Sequence, residues 1–151
     1  MSVNIEDIKK IREETGAGIA DVRSALEEAD GDVAQAKEVL KKKGLDKANS
    51  KSDREVKNGV VEVYSHNGKV GVLLELLCET DFVAKTDDFK NLAHELVLQV
   101  ASMNPSTVEE LLTQEYIRDS SLTIDILVKS VVAKLGENIQ IGRFERIVLG
   151  Q

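Results

Sequence analysis

Cysteine occurs once in this chain, at position 78. A lone thiol excludes an intramolecular disulfide and supplies no metal cluster, and in the alternating register of Leu74, Leu76 and Cys78 it reads as a small buried hydrophobe. Histidine occurs only at His66 and His94. The first falls in a turn and the second off the apolar side of a helical pattern, so both read as surface residues with no base to offer. A Cys78 nucleophile would sit beside Glu79 and Asp81, acids that raise a thiol pKa instead of lowering it. There is no Gly-x-x-x-x-Gly-Lys word, and Gly16 and Gly18 follow a helix and lack the strand that precedes a dinucleotide turn. Bond chemistry, a bound metal and a cofactor are therefore not expected. No apolar run approaches the roughly 18 residues of a membrane span. No basic-then-apolar leader is visible at Met1-Ser2-Val3-Asn4-Ile5, so a soluble, cytoplasmic protein is the expectation.

The charge balance also excludes something. Twenty basic against twenty-seven acidic residues give −7, which argues against a protein held on nucleic acid by phosphate contacts. The distribution is uneven: residues 1–40 hold ten acids and five bases, while residues 41–57 hold seven bases against three acids. That second stretch reads either as a solvated connector or as a strip for an acidic partner surface.

What is present divides the chain in three. Residues 1–45 read as a three-helix module. Asn4 caps a helix whose Ile5, Ile8 and Ile11 form a stripe ending before Gly16; Val22, Ala25, Leu26 and Ala29 follow Gly18; Asp32 caps a third helix with Val33, Ala36, Val39 and Leu40, which Gly44 should end. Residues 46–57 read as a charged linker. From 58 to 151 the period changes, which marks a domain boundary. Strands at 59–65 and 69–78 flank Asn67-Gly68, a dipeptide suited to a type I′ hairpin turn. Val70, Val72, Leu74, Leu76 and Cys78 share one face.

Thr86 caps a helix opened by Asp87 and Asp88, with an apolar stripe from Phe89 to Ala101 that should pack on the hairpin. A capping box at Ser106 to Glu109 and a helix from Thr123 to Gly136 follow. A strand over 139–149 ends the domain, with a bulge at Gly142. The fold class is α+β: about three antiparallel strands with helices on one face, behind the helical module.

The segment Cys78-Glu79-Thr80-Asp81-Phe82-Val83-Ala84 joins the second strand to the next helix and places an acid beside a large aromatic at the junction. Phe82 lies outside both the strand alternation and the helical stripe. It is either a plug for its own core or a wedge for a partner.

Four words in order carry a resemblance that spans nearly the whole chain. They are Thr15-Gly16-Ala17-Gly18-Ile19 with Asp21 and Gly31-Asp32; Lys43-Gly44 with Arg54, Glu55 and Gly59; Cys78 through Ala84; and Leu135-Gly136-Glu137-Asn138-Ile139 with Arg143-Phe144. Together they resemble the elongation factor Ts family. The resemblance implies a guanine nucleotide exchange factor for elongation factor Tu that makes no bond change of its own. It also implies that the N-terminal module is similar to ubiquitin-associated domains and docks on the GTPase through Thr15, Gly16, Ala17, Gly18 and Ile19. Thr80, Asp81, Phe82 and Val83 would then reach the magnesium and phosphates of the bound nucleotide, with Phe82 as the wedge.

The chain departs from the family pattern at Gly142, where many members carry arginine. It departs also in length, since only 17 residues lie between Pro105 and Thr123, too few for a long helical hairpin. A short form with a single core half is expected to pair as a homodimer through strand 139–149 or the outer face of the sheet. The rival readings are a protein-interaction adaptor that uses the three-helix module outside translation, and an enzyme built on Cys78.

Overall fold

A computed structural model describes residues 3–151. Met1 and Ser2, the start of the stretch in which no leader is visible, lie outside the described residues.

Helix α1 (Ile5–Thr15) begins where the Asn4 side chain accepts from the Glu6 amide at 3.0 Å, and it ends at Gly16, whose φ of 72° turns the chain. Helix α2 (Ile19–Glu28) starts from Gly18 without a side-chain cap. Helix α3 (Val33–Ser50) is capped by Asp32, which accepts from the Gln35 amide at 3.0 Å. Ile11, Val22, Ala25, Leu26, Ala29, Ala36 and Leu40 close a small aliphatic core among the three.

The end of α3 differs from the expectation. Gly44 does not stop the helix, which runs on to Ser50, so the first residues of the expected 46–57 linker are helical. A glycine inside a helix costs roughly 1 kcal/mol. Packing offsets it: a Cβ at Gly44 would lie 3.5 Å from that of Ala133, and Ala48 is buried in the core of the following domain. The bases of this stretch are not a free tether either. Lys47 pairs with Asp21 at 3.0 Å and Lys43 with Glu28 at 3.3 Å, so the acidic surface they meet includes the chain's own α2.

Strands β1 (Asn58–His66) and β2 (Val70–Cys78) form the expected hairpin, with Asn67 and Gly68 at φ 54° and 67° in its turn. Both values lie in the left-handed region that a type I′ turn requires at its two central positions. Strand β5 (Ile139–Val148) pairs antiparallel on the other side of β2, giving the order β1-β2-β5. The register slips between Leu74 and Leu76, opposite Phe144 and Ile141. Gly142 stands in that irregularity, where a Cβ would meet the Glu75 carboxylate.

Val72, Leu74, Leu76 and Cys78 are buried against helix α5 (Asp87–Met103), which Thr86 caps through the Phe89 amide. Helix α7 (Ile124–Leu135) lies against both α3 and α5, between its Thr123 cap and the left-handed Gly136.

Two local readings shift. The cap of helix α6 (Val108–Thr113) is Thr107, accepting from the Glu110 amide at 3.0 Å, one residue later than expected. Between α6 and α7 the chain forms a small unforeseen hairpin, β3 (Glu115–Tyr116) and β4 (Asp119–Thr123). Gln99, fully buried on α5, secures it by donating to Glu115 O and accepting from the Ile117 amide, both at 3.0 Å. The outer face of the main sheet carries Val61, Val63, Leu73 and Ile147, all of them exposed.

Candidate partner-binding site

After Cys78 the chain leaves the sheet, and Thr80 opens a single turn of helix, α4 (Asp81–Ala84). Its hydroxyl accepts from the Val83 amide at 3.3 Å. Ala84 is buried and Val83 packs partly against the core, so the turn has an inner side. The other side carries Asp81 and Phe82. Phe82 is 86% exposed, the highest value among the large exposed hydrophobes. It is not a plug: its ring stands in solvent at a fixed turn. The turn thus presents a single uncovered aromatic ring beside the Asp81 carboxylate.

Asp81 does not stand alone. Lys85, one helical turn on, reaches its carboxylate at 2.7 Å, and this contact raises the lysine pKa. The two residues stand four apart, the spacing at which side chains meet along a helix. Both groups are exposed, so the pair orients the carboxylate with little effect on stability. Thr80 and Val83, grouped with Asp81 and Phe82 from the sequence, face the other way. The Thr80 donors and its hydroxyl acceptor are all engaged within the fold, which leaves Asp81 and Phe82 as the projecting pair.

The base of the corner is held from the far end of the chain. The Glu137 carboxylate accepts from the Thr80 amide at 2.9 Å and from its hydroxyl at 2.7 Å. In return the Glu79 carboxylate accepts from the Asn138 amide at 2.8 Å, with Arg54 at 3.6 Å on the same oxygen. Asn138, itself buried, donates through its side chain to Arg54 O at 2.7 Å, tying down the connector before β1. The exchange follows from the register, since Cys78 and Ile139 are paired neighbours at the end of β2 and the start of β5.

Cys78 is buried beneath this arrangement, and its thiol donates to Thr80 O at 3.1 Å. Burial pushes the thiol pKa up, with the Glu137 charge adding to it. The sequence reading had the direction right but named Glu79 as a contributing acid. Glu79 turns to Asn138 instead; Glu137, 59 residues away in sequence, is the larger charge, and Asp81, also named from the sequence, adds to it. A thiol held in its protonated form is a poor nucleophile.

The second set of residues lies elsewhere. Thr15 donates to Ile11 O at 2.7 Å, Ala17 packs on the small core, and Ile19 is exposed. Gly16 approaches the core domain, where a Cβ would lie 3.3 Å from Cε of Lys134 on α7. The loop lines an open cleft of about 800 Å³ between α3 and α7, with Leu40, Gly44, Ile126 and Ala133 among its walls. Among the described residues no hydrogen bond or ion pair joins this loop to the Thr80–Val83 corner. The link is indirect: Lys134, against Gly16, pairs at 3.1 Å with Asp88 in the first turn of α5.

His66 is bonded to Tyr64 at the hairpin turn, and His94 lies exposed on α5. Among the described residues no cluster of three or more metal-ligating side chains occurs, and no helix is long and apolar enough to cross a membrane.

Comparison with known proteins adds a family. Residues 79–151 match the family model described as "Elongation factor TS". Over 196 aligned positions the chain is 39% identical to a curated protein named elongation factor Ts from Herpetosiphon aurantiacus, covering 99% of each. A protein of the same name from Fervidobacterium nodosum is 39% identical over 197 positions, with all of each chain covered. A third, from a Nostoc species, is 48% identical over 143 positions, which span 94% of this chain and 45% of that one. The first two alignments are longer than the 151 residues here, so those relatives contain residues with no counterpart in this chain.

Proposed function

Since the chain belongs to the elongation factor Ts family and so has the role of a translation elongation factor, we propose that it is the guanine nucleotide exchange factor for elongation factor Tu. In this reading Asp81 and Phe82 insert beside the magnesium and phosphates of bound GDP. The factor changes no bond of its own and works in the cytoplasm. The observation that carries the reading is the exposed Phe82 ring beside Asp81, on a turn whose Thr80, Val83 and Ala84 are held by the fold.

The energetics follow from linkage. A factor that binds the nucleotide-free GTPase more tightly than the loaded one is weakened by nucleotide by the same free energy, whichever ligand is bound first. Burying one phenylalanine contributes about 1.5 to 3 kcal/mol, or one to two decades of coupling. Larger enhancement needs a second contribution. The three-helix module, docking through Thr15, Gly16, Ala17, Gly18 and Ile19, makes insertion of Phe82 effectively intramolecular.

Release of fluorescent GDP from elongation factor Tu tests the reading. Phe82→Ala should lose about one to two decades of stimulation while still binding the nucleotide-free GTPase. Release as fast as with the natural chain rejects the wedge.

A second element of the proposal is a homodimer. The supporting observation is the uncovered apolar face at Val61, Val63, Leu73 and Ile147, bordered by the unpaired edge of β5. Light scattering should give a mass that rises with concentration toward twice the chain mass. Leu73→Lys should hold it at one chain.

A further inference from the structure

The wedge reading makes a mechanical demand that Phe82 cannot meet by itself. A side chain with 86% of its surface in solvent has almost no contacts of its own to hold it. A tip that must press into a partner then depends on the stiffness of its base. α4 is one turn long, too short to be stable alone, and it is bonded from outside at Thr80.

From this geometry we propose that Glu137 is the positioning residue of the exchange corner, acting through Thr80 on Phe82. The inference rests on the exchange reading for its functional half and on the fold for its structural half. The Glu137 carboxylate accepts the Thr80 amide and hydroxyl together, at 2.9 and 2.7 Å. This fixes both the backbone and the rotamer of the capping residue. A hydroxyl that donates to a carboxylate is polarised into a better acceptor, and the bond it accepts is that of the Val83 amide, directly after Phe82. Glu79 and Asn138 close the same exchange in the opposite sense at 2.8 Å, so the ends of β2 and β5 cannot slide apart without breaking both sets.

The word Leu135-Gly136-Glu137-Asn138-Ile139 thereby acquires a role besides starting a strand. Gly136, in the left-handed conformation at φ 78°, turns the chain out of α7 and precedes the carboxylate directly. Glu137 touches neither nucleotide nor partner in this proposal. It sets where the tip stands.

The experiment measures GDP release from the loaded GTPase across factor concentrations, separating the maximal rate from the half-saturating concentration. The variants are Glu137→Ala, Glu137→Gln, Phe82→Ala and the double variant Glu137→Ala/Phe82→Ala. Glu137→Ala should lower the maximal rate about ten- to a hundredfold, the span of a lost hydrogen bond to a charged group. Its half-saturating concentration should change little. Glu137→Gln, which keeps the volume and one acceptor, should recover part of the loss. In the Phe82→Ala background Glu137→Ala should have no further effect, because a clamp has nothing left to position.

Amide hydrogen exchange in the free factor reads the clamp without the GTPase. Thr80 and Val83 should exchange faster in both Glu137 variants, while Leu76 in the middle of the sheet keeps its protection. An additive loss in the double variant, or unchanged protection at Thr80 and Val83, overturns the proposal. If Phe82→Ala releases GDP as fast as the natural chain, the exchange reading fails instead, and amide exchange still decides the clamp.

Discussion

At the corner between α1 and α2, Gly16 turns the chain through its own backbone freedom, and Thr15 bonds back within the same helix. The corner after β2 is made differently. Thr80 is held by Glu137, and Glu79 is held by Asn138, so the local caps of this turn are joined by contacts that form only when two distant strands pair. The cores behind the two corners differ in the same sense. The module buries one isoleucine, two leucines and a valine with three alanines, whereas the second domain gathers seventeen buried residues from its sheet and helices, with the last turn of α3. A docking surface can rest on a locally defined turn. An exposed aromatic meant to press on a partner needs a base fixed by tertiary contacts.

Removing a large side chain from each core breaks this comparison most directly. Phe89→Ala, at a fully buried position on α5, is expected to cost about 3 to 5 kcal/mol and to unfold the sheet domain with it, as seen by urea titration. Leu26→Ala should cost about 3 kcal/mol. Against the few kcal/mol that so small a core supplies, this should melt α1 to α3 while amide protection in β2 persists. Loss of protection in both domains from Leu26→Ala would show that α3, through Ala48, makes them one cooperative unit.

Gly16→Ala is the gentler probe. A side chain in the left-handed region costs about 1 to 2 kcal/mol, and Lys134 must also give way at the 3.3 Å approach. The loss should appear as a lower melting temperature of the module, with the Thr80–Val83 corner unaffected.

A further effect, read by pH, concerns the β3–β4 hairpin, whose Tyr116 donates to Glu95 at 2.8 Å. Burial first, and Glu95 second, push the Tyr116 pKa up to about 12. Ionisation is thus favoured in the unfolded chain, and the stabilisation is complete below the ordinary tyrosine value near 10. It falls as pH rises from there through about 12. Denaturant midpoints should decline over that window, and Tyr116→Phe should flatten the decline. An unchanged slope would place the alkaline loss elsewhere.

Much of the secondary structure was legible because its signals are local. Asn4, Asp32, Thr86 and Thr123 act within three residues of themselves, and Asn67-Gly68 needs only its own backbone angles. Gly44 misled because a stop signal read locally was outweighed by packing on Ala133 and Ala48. Thr80 and Val83 were grouped with the tip because adjacency in sequence does not reveal which side of a turn a residue takes.

By itself the sequence determined the helices, the hairpin, the buried face of β2 and the words that tie the chain to its family. Each of these depends on periodicity, capping or turn chemistry that acts over a few residues. Tertiary structure alone decided that Phe82 stands out in solvent, that α3 crosses into the second domain, and that Glu137 and Asn138 hold the corner bearing Asp81. Those outcomes depend on which surfaces meet when β5 pairs with β2 and when α7 packs on α3, and such contacts span more than fifty residues of chain.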